Sequence, residues 1–375
     1  MDLLEGNQMK IVQVVAYYPP HLGGMENAAK EISERLAKKG HSVEVFTSDV
    51  DCKKGKLKST ENLKIHYLKS FNFAHTPIIF SLFFRLISIS RDSIVHLHIA
   101  QALTPEIVWL ASKIRKFPYI AHVYVDVAPS GKLGFLLPLY KKIFLKKVFT
   151  NAKKVIFITE EYKNFMGEKY KIGKNKISAI PNGTGKEFFM KKKNNLHNRI
   201  TLLFVGRLGI QKNIPRLINA VSLLKEKVTL HIVGEGEKRR EIEKLISDKR
   251  LNNVILHGKK TGKDLLRFYE IADIFVLSSD VEAIPLVLVE AMASGTPIIA
   301  SDILGVSEFV GNAGVLVNPP TPENFAKAIE DLIGDKNLRK KLSEEGNRKA
   351  RQYDWDEIIE KFEVVYREVL SETNQ

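Results

Sequence analysis

The sequence predicts an α/β protein of two doubly wound domains, and three observations carry that expectation. Short β-rich runs alternate with helical stretches through all 375 residues, which implies parallel sheets covered by helices on both faces. The alternation lapses once, at residues 185–198 (GKEFFMKKKNNLHN), where periodicity gives way to a Lys/Asn-rich stretch. The length is enough for two domains with separate cores. The expected domains are residues 9–190 and 199–353, with residues 354–375 forming a terminal helix that belongs with the first.

Each element has a local reason. KIVQVVAYYPP, from Lys10, is a strand running into a loop. Asn27 to Lys39 is an amphipathic helix stopped by Gly40. HSVEVFTSD, IVHLHIA, PYIAHVYVD and KKVIFITE are further strands of the first half; RITLLFVGRL, VTLHIVGEG, VILHGKK, IFVLSSD and PIIASD are those of the second. No tandem repeat of 20–50 residues is visible. In EAIPLVLVEAMASGTPIIA, residues 282–300, Pro285 suits the first turn of a helix from Leu286 to Ser294, Gly295 suits its C-terminal turn, and Ile298 opens a strand. At the C-terminus, Asp354 with Glu357 resembles a capping box and Trp355 is an apolar anchor.

Composition narrows the classes. The chain is 44% hydrophobic and 27% charged, as in a soluble globular protein. A single cysteine, Cys52, excludes an internal disulfide and fits a reducing, cytoplasmic setting. MDLLEGNQ lacks the apolar segment of a secretory signal, and no apolar run approaches the roughly 18 residues that cross a bilayer. The net charge of +15 is uneven, +13 in residues 1–185 and +2 in residues 186–375. A basic half points to an acidic partner: phosphates, anionic lipid or nucleic acid. Nucleic acid is set aside, because no recognition motif with interleaved aromatics is present.

Several polar clusters fall at the carboxyl ends of predicted strands, where ligands bind in doubly wound sheets. Gly23-Gly24 would let backbone N–H groups approach a phosphate. In FVGRLGIQKN, Gly206 ends a strand, and Arg207 and Lys212 can grip a diphosphate. VGEGEKRR has the wrong spacing for a dinucleotide fingerprint and reads as a turn bordering a nucleobase. His96 and His98 share a strand face; no third ligand lies at metal-binding spacing nearby, so no metal is expected there. His98, nearer the strand's carboxyl end, is the better candidate for facing the cleft, and His122 sits near another strand end. Asp280 and Glu282 form Asp-x-Glu rather than the Asp-x-Asp of a metal-bound sugar nucleotide, so no metal or other cofactor is expected. Glu290, inside an apolar helix, is costly unless bonded. Its partner is either a neighbouring backbone group or Arg, or the diol of a sugar.

Taken together, PPHLGGME, FVGRL…QKN, VGEGE and the Glu282/Glu290 pair followed by AMASGTPIIA resemble the retaining family-four glycosyltransferases, along essentially the whole chain. The resemblance implies a GT-B fold: two Rossmann-like doubly wound domains facing across a cleft, with the C-terminal helix crossing back to the N-terminal domain. It implies that Arg207 and Lys212 hold the donor diphosphate, Glu290 the ribose, and Glu282 the transferred sugar. Backbone groups from Ile284 to Leu286 assist, and Gly23 and Gly24 close over the diphosphate. A family histidine that touches the donor sugar corresponds to His122 or to the slot of Tyr124. His98 and Asp126 are acceptor-side candidates. Glu282 is followed by Ala-Ile-Pro where the family often has Gly-Phe-Gly, a different loop shape.

The implied donor is a UDP- or GDP-linked sugar, and the acceptor a carbohydrate or lipid-linked hydroxyl. FNFAHTPIIFSLFFRLIS and GKLGFLLPLYKKIFLKKVF mix apolar runs with lysines and fit peripheral contact with an anionic membrane at its inner face; the alternative for both is buried helices with exposed lysines. A sugar-nucleotide epimerase of the same fold, or a non-catalytic partner subunit, are the alternatives for the whole chain.

Overall fold

The computed structural model describes residues 8–21, 23–52, 55–73, 76–99, 102–124, 137–190, 199–224, 228–282, 286–303 and 305–373. It divides into two compact units, Met1–Asn182 with Trp355–Gln375, and Gly183–Asp354.

The strands of the first unit are β1 (Lys10–Val14), β2 (Ser42–Ser48), β3 (Leu63–Leu68), β4 (Phe71–Phe73), β5 (Thr76–Ile78), β6 (Ile94–Ile99), β7 (Tyr119–Val123), β8 (Lys154–Phe157) and β9 (Ile177–Ala179). Seven of them form one parallel sheet in the order β3-β2-β1-β6-β7-β8-β9, while β4 and β5 make a small antiparallel pair. The order reverses between β1 and β6, the place where such sheets leave a crevice. The apolar runs of β1, β6 and β7 are buried along nearly their whole length, as strands covered on both faces must be. The terminal helix Trp355–Thr373 packs on helix Gly24–Lys38 and on β6. Arg35 pairs with Asp356, and His41 meets Glu363 at 2.7 Å. The helix therefore completes the first unit although it follows the second in sequence.

The second unit holds β10 (Ile200–Val205), β11 (Val228–Val233), β12 (Val254–Leu256), β13 (Ile274–Leu277), β14 (Ile298–Ser301) and β15 (Gly314–Val317). They form a parallel sheet in the order β12-β11-β10-β13-β14-β15, reversing between β10 and β13. Its core runs from Phe188 and Leu202 through Leu288, Val289 and Met292 to Phe325 and Leu342.

Two boundaries differ from the sequence reading. Residues 183–190, assigned there to the first domain, belong to the second unit, because Phe188 is buried in its core against Tyr269, with ring centroids 5.4 Å apart. Helix Gly24–Lys38 begins three residues before Asn27, with Gly23 in extended conformation as its N-cap.

Candidate functional site

The sheet of the second unit brings two loops together at its reversal point: residues 206–213 after β10 and 278–282 after β13. They are knitted by main-chain and side-chain bonds. Asp280 N–H donates to Gln211 O at 2.8 Å, and Ser278 Oγ donates to Lys212 O at 3.0 Å. The Arg216 guanidinium donates to Ser278 O at 2.9 Å and pairs with Asp280 at 2.7 Å. Asn213 Nδ2 donates to Asp280 Oδ2 at 2.9 Å. Asn213 itself is left-handed, φ +41°, and its side chain accepts from Arg216 N–H to start helix Ile214–Leu223, a task that suits Asn. The outcome is a fixed position for Lys212. Its Nζ donates to Glu282 Oε1, which also accepts from Ser279 Oγ at 2.6 Å. Both carboxylates of Asp-x-Glu are thus engaged by cations and neutral donors of the chain.

Arg207 lies in the same loop but reaches outward. Its side chain is 77% exposed, and Nε donates to Glu237 at 3.2 Å. The glycines around it answer to backbone approach. A Cβ on Gly234, whose φ is +151°, would sit 1.8 Å from Gly206 O, and one on Gly236 would sit 2.4 Å from Leu208 O. Gly206 N–H and Leu208 N–H donate to Val233 O and Glu235 O at 3.0 and 2.9 Å. The VGEG stretch is therefore required first by the contact of two loops.

Glu290 sits on helix Leu286–Ala293, which Gly295 ends in the left-handed region at φ +67°. Its partner is neither backbone nor Arg: Tyr269 Oη donates to Glu290 Oε2 at 2.6 Å. Burial pushes the Glu290 carboxyl up to about 7; the Tyr269 bond works against that, and the charge of Glu187 adds to it. Tyr269 and Glu187 had escaped the sequence reading. An inward tyrosine in an amphipathic helix needs a partner for its hydroxyl, and Glu290 was the buried acceptor in want of one. Leu286 opens the helix, packed against the core, while Ile284 lies outside the described residues.

In the first unit, the loop after β1 places His21 on Tyr17, ring centroids 4.4 Å apart, and within 2.8 Å of Asp51. A Cβ on Gly23 would lie 2.1 Å from Glu26 Oε2, so a side chain there would displace the Glu26 carboxylate; Gly24 faces open space. The positive end of the helix is already met by the Glu26 carboxylate, whose pKa burial raises.

The histidines gather more tightly than their spacing implied. His98 and His122 are register partners across β6 and β7, so the neighbouring strand supplies the third imidazole that local spacing lacked. Nitrogens of His96, His98 and His122 lie within 4.8 Å of one another. Tyr366 Oη meets His96 Nδ1 at 2.6 Å, and His96 Nε2 meets His122 Nδ1 at 3.1 Å. His98 Nε2 donates to Gln13 Oε1 at 2.6 Å, so its Nδ1 accepts from Tyr124 Oη at 2.9 Å. His122 Nε2 is buried without a partner among the described residues. Burial holds all three imidazoles neutral, His98 down to about 3 and the other two well below their ordinary value. The rings of His96 and His98 stack 8° from parallel with centroids 4.3 Å apart. A metal bonded to both would sit far from at least one ring plane, so the cluster as built fits hydrogen bonding rather than ligation. His122 and Tyr124 are both buried, stacked 4.3 Å apart. Asp126 lies outside the described residues.

Residues 22–187 match the model for Glycosyltransferase Family 4, and residues 185–349 that for Glycosyl transferases group 1. A Methanocaldococcus jannaschii protein described as an uncharacterized glycosyltransferase is 26% identical over 97% of this chain and 100% of its own. The Campylobacter jejuni N,N'-diacetylbacillosaminyl-diphospho-undecaprenol alpha-1,3-N-acetylgalactosaminyltransferase is 26% identical over 70% of this chain and 73% of its own. Anabaena HepE, solved in complex with UDP-glucose, matches with a TM-score of 0.74 at 18% identity, covering 97% of this chain and 100% of that one. The chain belongs to the glycosyltransferases that join a family 4 unit to a group 1 unit, and it is a sugar-transferring enzyme of the GT-B fold.

Proposed function

We propose that the enzyme transfers a sugar from a UDP- or GDP-linked donor to an acceptor hydroxyl with retention of anomeric configuration and without a required metal. The observation that carries this reading is the junction of Lys212 and Glu282 at the reversal point of the second sheet, with Glu290 on the helix that follows. Lys212 and Arg207 neutralise the donor diphosphate, Glu290 accepts from the ribose hydroxyls, and Glu282 faces the sugar. The bond from the anomeric carbon to the diphosphate breaks, the acceptor oxygen bonds to that carbon on the same face, and its proton passes to the leaving phosphate. Stabilising the leaving group's charge is the main task of the protein. The Anabaena protein, solved with UDP-glucose, supports this donor class.

The acceptor side of the reading is a lipid-linked hydroxyl at an anionic membrane surface. The name of the Campylobacter relative places its acceptor on a diphospho-undecaprenol. Within the first unit, helix Leu82–Ser88 packs on helix Thr104–Arg115, which packs on the helical run Lys141–Leu145 and Lys146–Asn151. These elements, the turn before Leu82 and the short helix Leu137–Tyr140 expose Phe80, Phe84, Ile114 and Leu139, between 57% and 71% each, beside Arg85, Lys113 and Lys142 in sequence. Lys113 and Lys147 both lie over the Trp109 ring, at 4.9 and 5.8 Å. Exposed large apolar side chains among lysines suit anionic headgroups. No helix among the described residues is long and apolar enough to cross a membrane.

The deciding experiment is calorimetric binding of UDP, GDP and ADP, each with and without EDTA. Saturable binding of one nucleotide, unchanged by EDTA and lost in Glu290→Ala, is the expected result; binding that EDTA abolishes overturns the metal-independent form. For the membrane, cosedimentation with anionic liposomes at low salt is expected, and is lost in the double variant Phe84→Glu, Ile114→Glu.

A further inference from the structure

We propose that Tyr269 is the positioning residue of the donor site: its hydroxyl holds Glu290 Oε2 and leaves Oε1 to receive the two vicinal hydroxyls of the ribose. The inference rests on the nucleotide-sugar reading above and adds to it a residue that no family motif named.

The geometry is direct. Tyr269 is fully buried on helix Gly262–Ile271, its ring 5.4 Å from Phe188 and 6.0 Å from Phe275. Packed on both sides, the ring has no other place for its hydroxyl, which donates to Glu290 Oε2 at 2.6 Å. Glu290 Oε1 has no hydrogen-bond partner among the described residues. A carboxylate with one oxygen fixed cannot rotate away from a ligand, so the entropy of placing it is spent on folding rather than on binding.

The same contact sets the charge of the site. The groups facing Glu290 are the Tyr269 hydroxyl from one side and the exposed Glu187 carboxylate, on the turn Lys186–Phe188, from another. Helix Lys336–Ala350 meets the Glu290 helix through Ser343, Gly346 and Asn347, none of which ionises. A hydrogen bond to the carboxylate favours its ionised form, and a second negative charge disfavours it. Tyr269 and Glu187 therefore pull in opposite directions on a carboxyl that burial has brought to about 7. A diol donates both its protons best to the ionised form, so nucleotide affinity should rise with pH through this range.

The test uses the full chain with Tyr269→Phe and Glu187→Gln. An infrared titration of the buried carboxyl band, assigned by its loss in Glu290→Gln, reads the proton on Glu290 with no ligand present. UDP and GDP binding from pH 5.5 to 9, referenced to Glu290→Gln, reads its use. Tyr269→Phe should raise the carboxyl midpoint by about one pH unit and weaken the bound nucleotide about tenfold at pH 7, with the deficit shrinking as pH rises. Glu187→Gln, at an exposed position that leaves the core untouched, should lower the midpoint and strengthen binding near pH 7. A pH-independent loss in Tyr269→Phe, or unmoved midpoints in proteins that bind nucleotide, overturns the role of Tyr269 alone. Moved midpoints in proteins that bind no nucleotide overturn the donor reading, and with it the ribose half of the proposal.

Discussion

The histidine cluster of the first unit and the carboxylate site of the second pose the same physical problem and solve it differently. Each places ionisable side chains beneath a sheet-and-helix layer. In the first unit the groups satisfy one another: imidazoles, two tyrosines and Gln13 bond in a closed set that leaves a single nitrogen unpaired. In the second, Glu290 has one fixed oxygen, and Lys212 and Glu282 hold each other in an ion pair that Ser279 also joins. Burial alone does not mark a site. An acid raised towards neutrality with acceptor capacity to spare is a better sign than a neutral base whose lone pairs are spent.

The two regions should respond to pH with opposite signs, which gives the sharpest way to break the comparison. His96, His98 and His122 stay neutral in the fold but take protons near 6.5 when unfolded. Their stabilising contribution is complete above that pH and is lost as pH falls towards their depressed folded values. With three such groups the slope can reach roughly 4 kcal/mol per pH unit. Chemical unfolding from pH 7.5 to 4.5 checks it, and a flat profile would detach the cluster from folding. Glu290 runs the other way. Its folded pKa is raised, so its contribution is present below the unfolded value near 4.5 and lost as pH rises through about 7. Glu290→Gln, which keeps an acceptor for Tyr269, should therefore stabilise the protein above pH 7 by up to about 3 kcal/mol in the same assay.

Function should divide along the same line. Arg207→Ala removes an exposed side chain, so the melting temperature should hold while turnover falls more than about 100-fold, the scale of losing one group that stabilises the leaving charge. Near-wild-type turnover would remove Arg207 from the mechanism. The smallest effect is expected for Ser279→Ala, which deletes one of two partners of Glu282 Oε1. A single neutral hydrogen bond contributes about 1 kcal/mol, so kcat should drop roughly fivefold with little change in stability.

Much of this was legible in the residues. Alternating apolar runs marked ten of the sheet strands, and the GT-B pattern followed from motifs scattered over residues 17–300. What escaped had weak local patterning. The strand Leu63–Leu68 is only half-buried in its middle, and Gly314–Val317 is a four-residue edge strand; neither length nor alternation separates such segments from loops. The partner of Glu290 was invisible because residues 269 and 290 meet only across helices. His122 was a candidate from the start, but its meeting with His96 and His98 was not foreseen, because register, not sequence distance, sets who faces whom across a parallel sheet. Gly234 and Gly236 read as a turn, and the close approach of two loop backbones that requires glycine there could not be seen from one strand's sequence.

The terminal helix has a consequence for how the protein is made. Tyr366 supplies the hydroxyl bonded to His96, and Glu363 the carboxylate bonded to His41. Residues 8–182 leave the ribosome long before either partner exists. At about 5–20 residues per second, the growing first unit waits roughly ten to thirty seconds, the time needed to synthesise the whole second unit, with imidazoles and an apolar helix-binding face still uncovered. Its nascent form is therefore the stage at which a chaperone has most to cover, and the last helix acts as the seal.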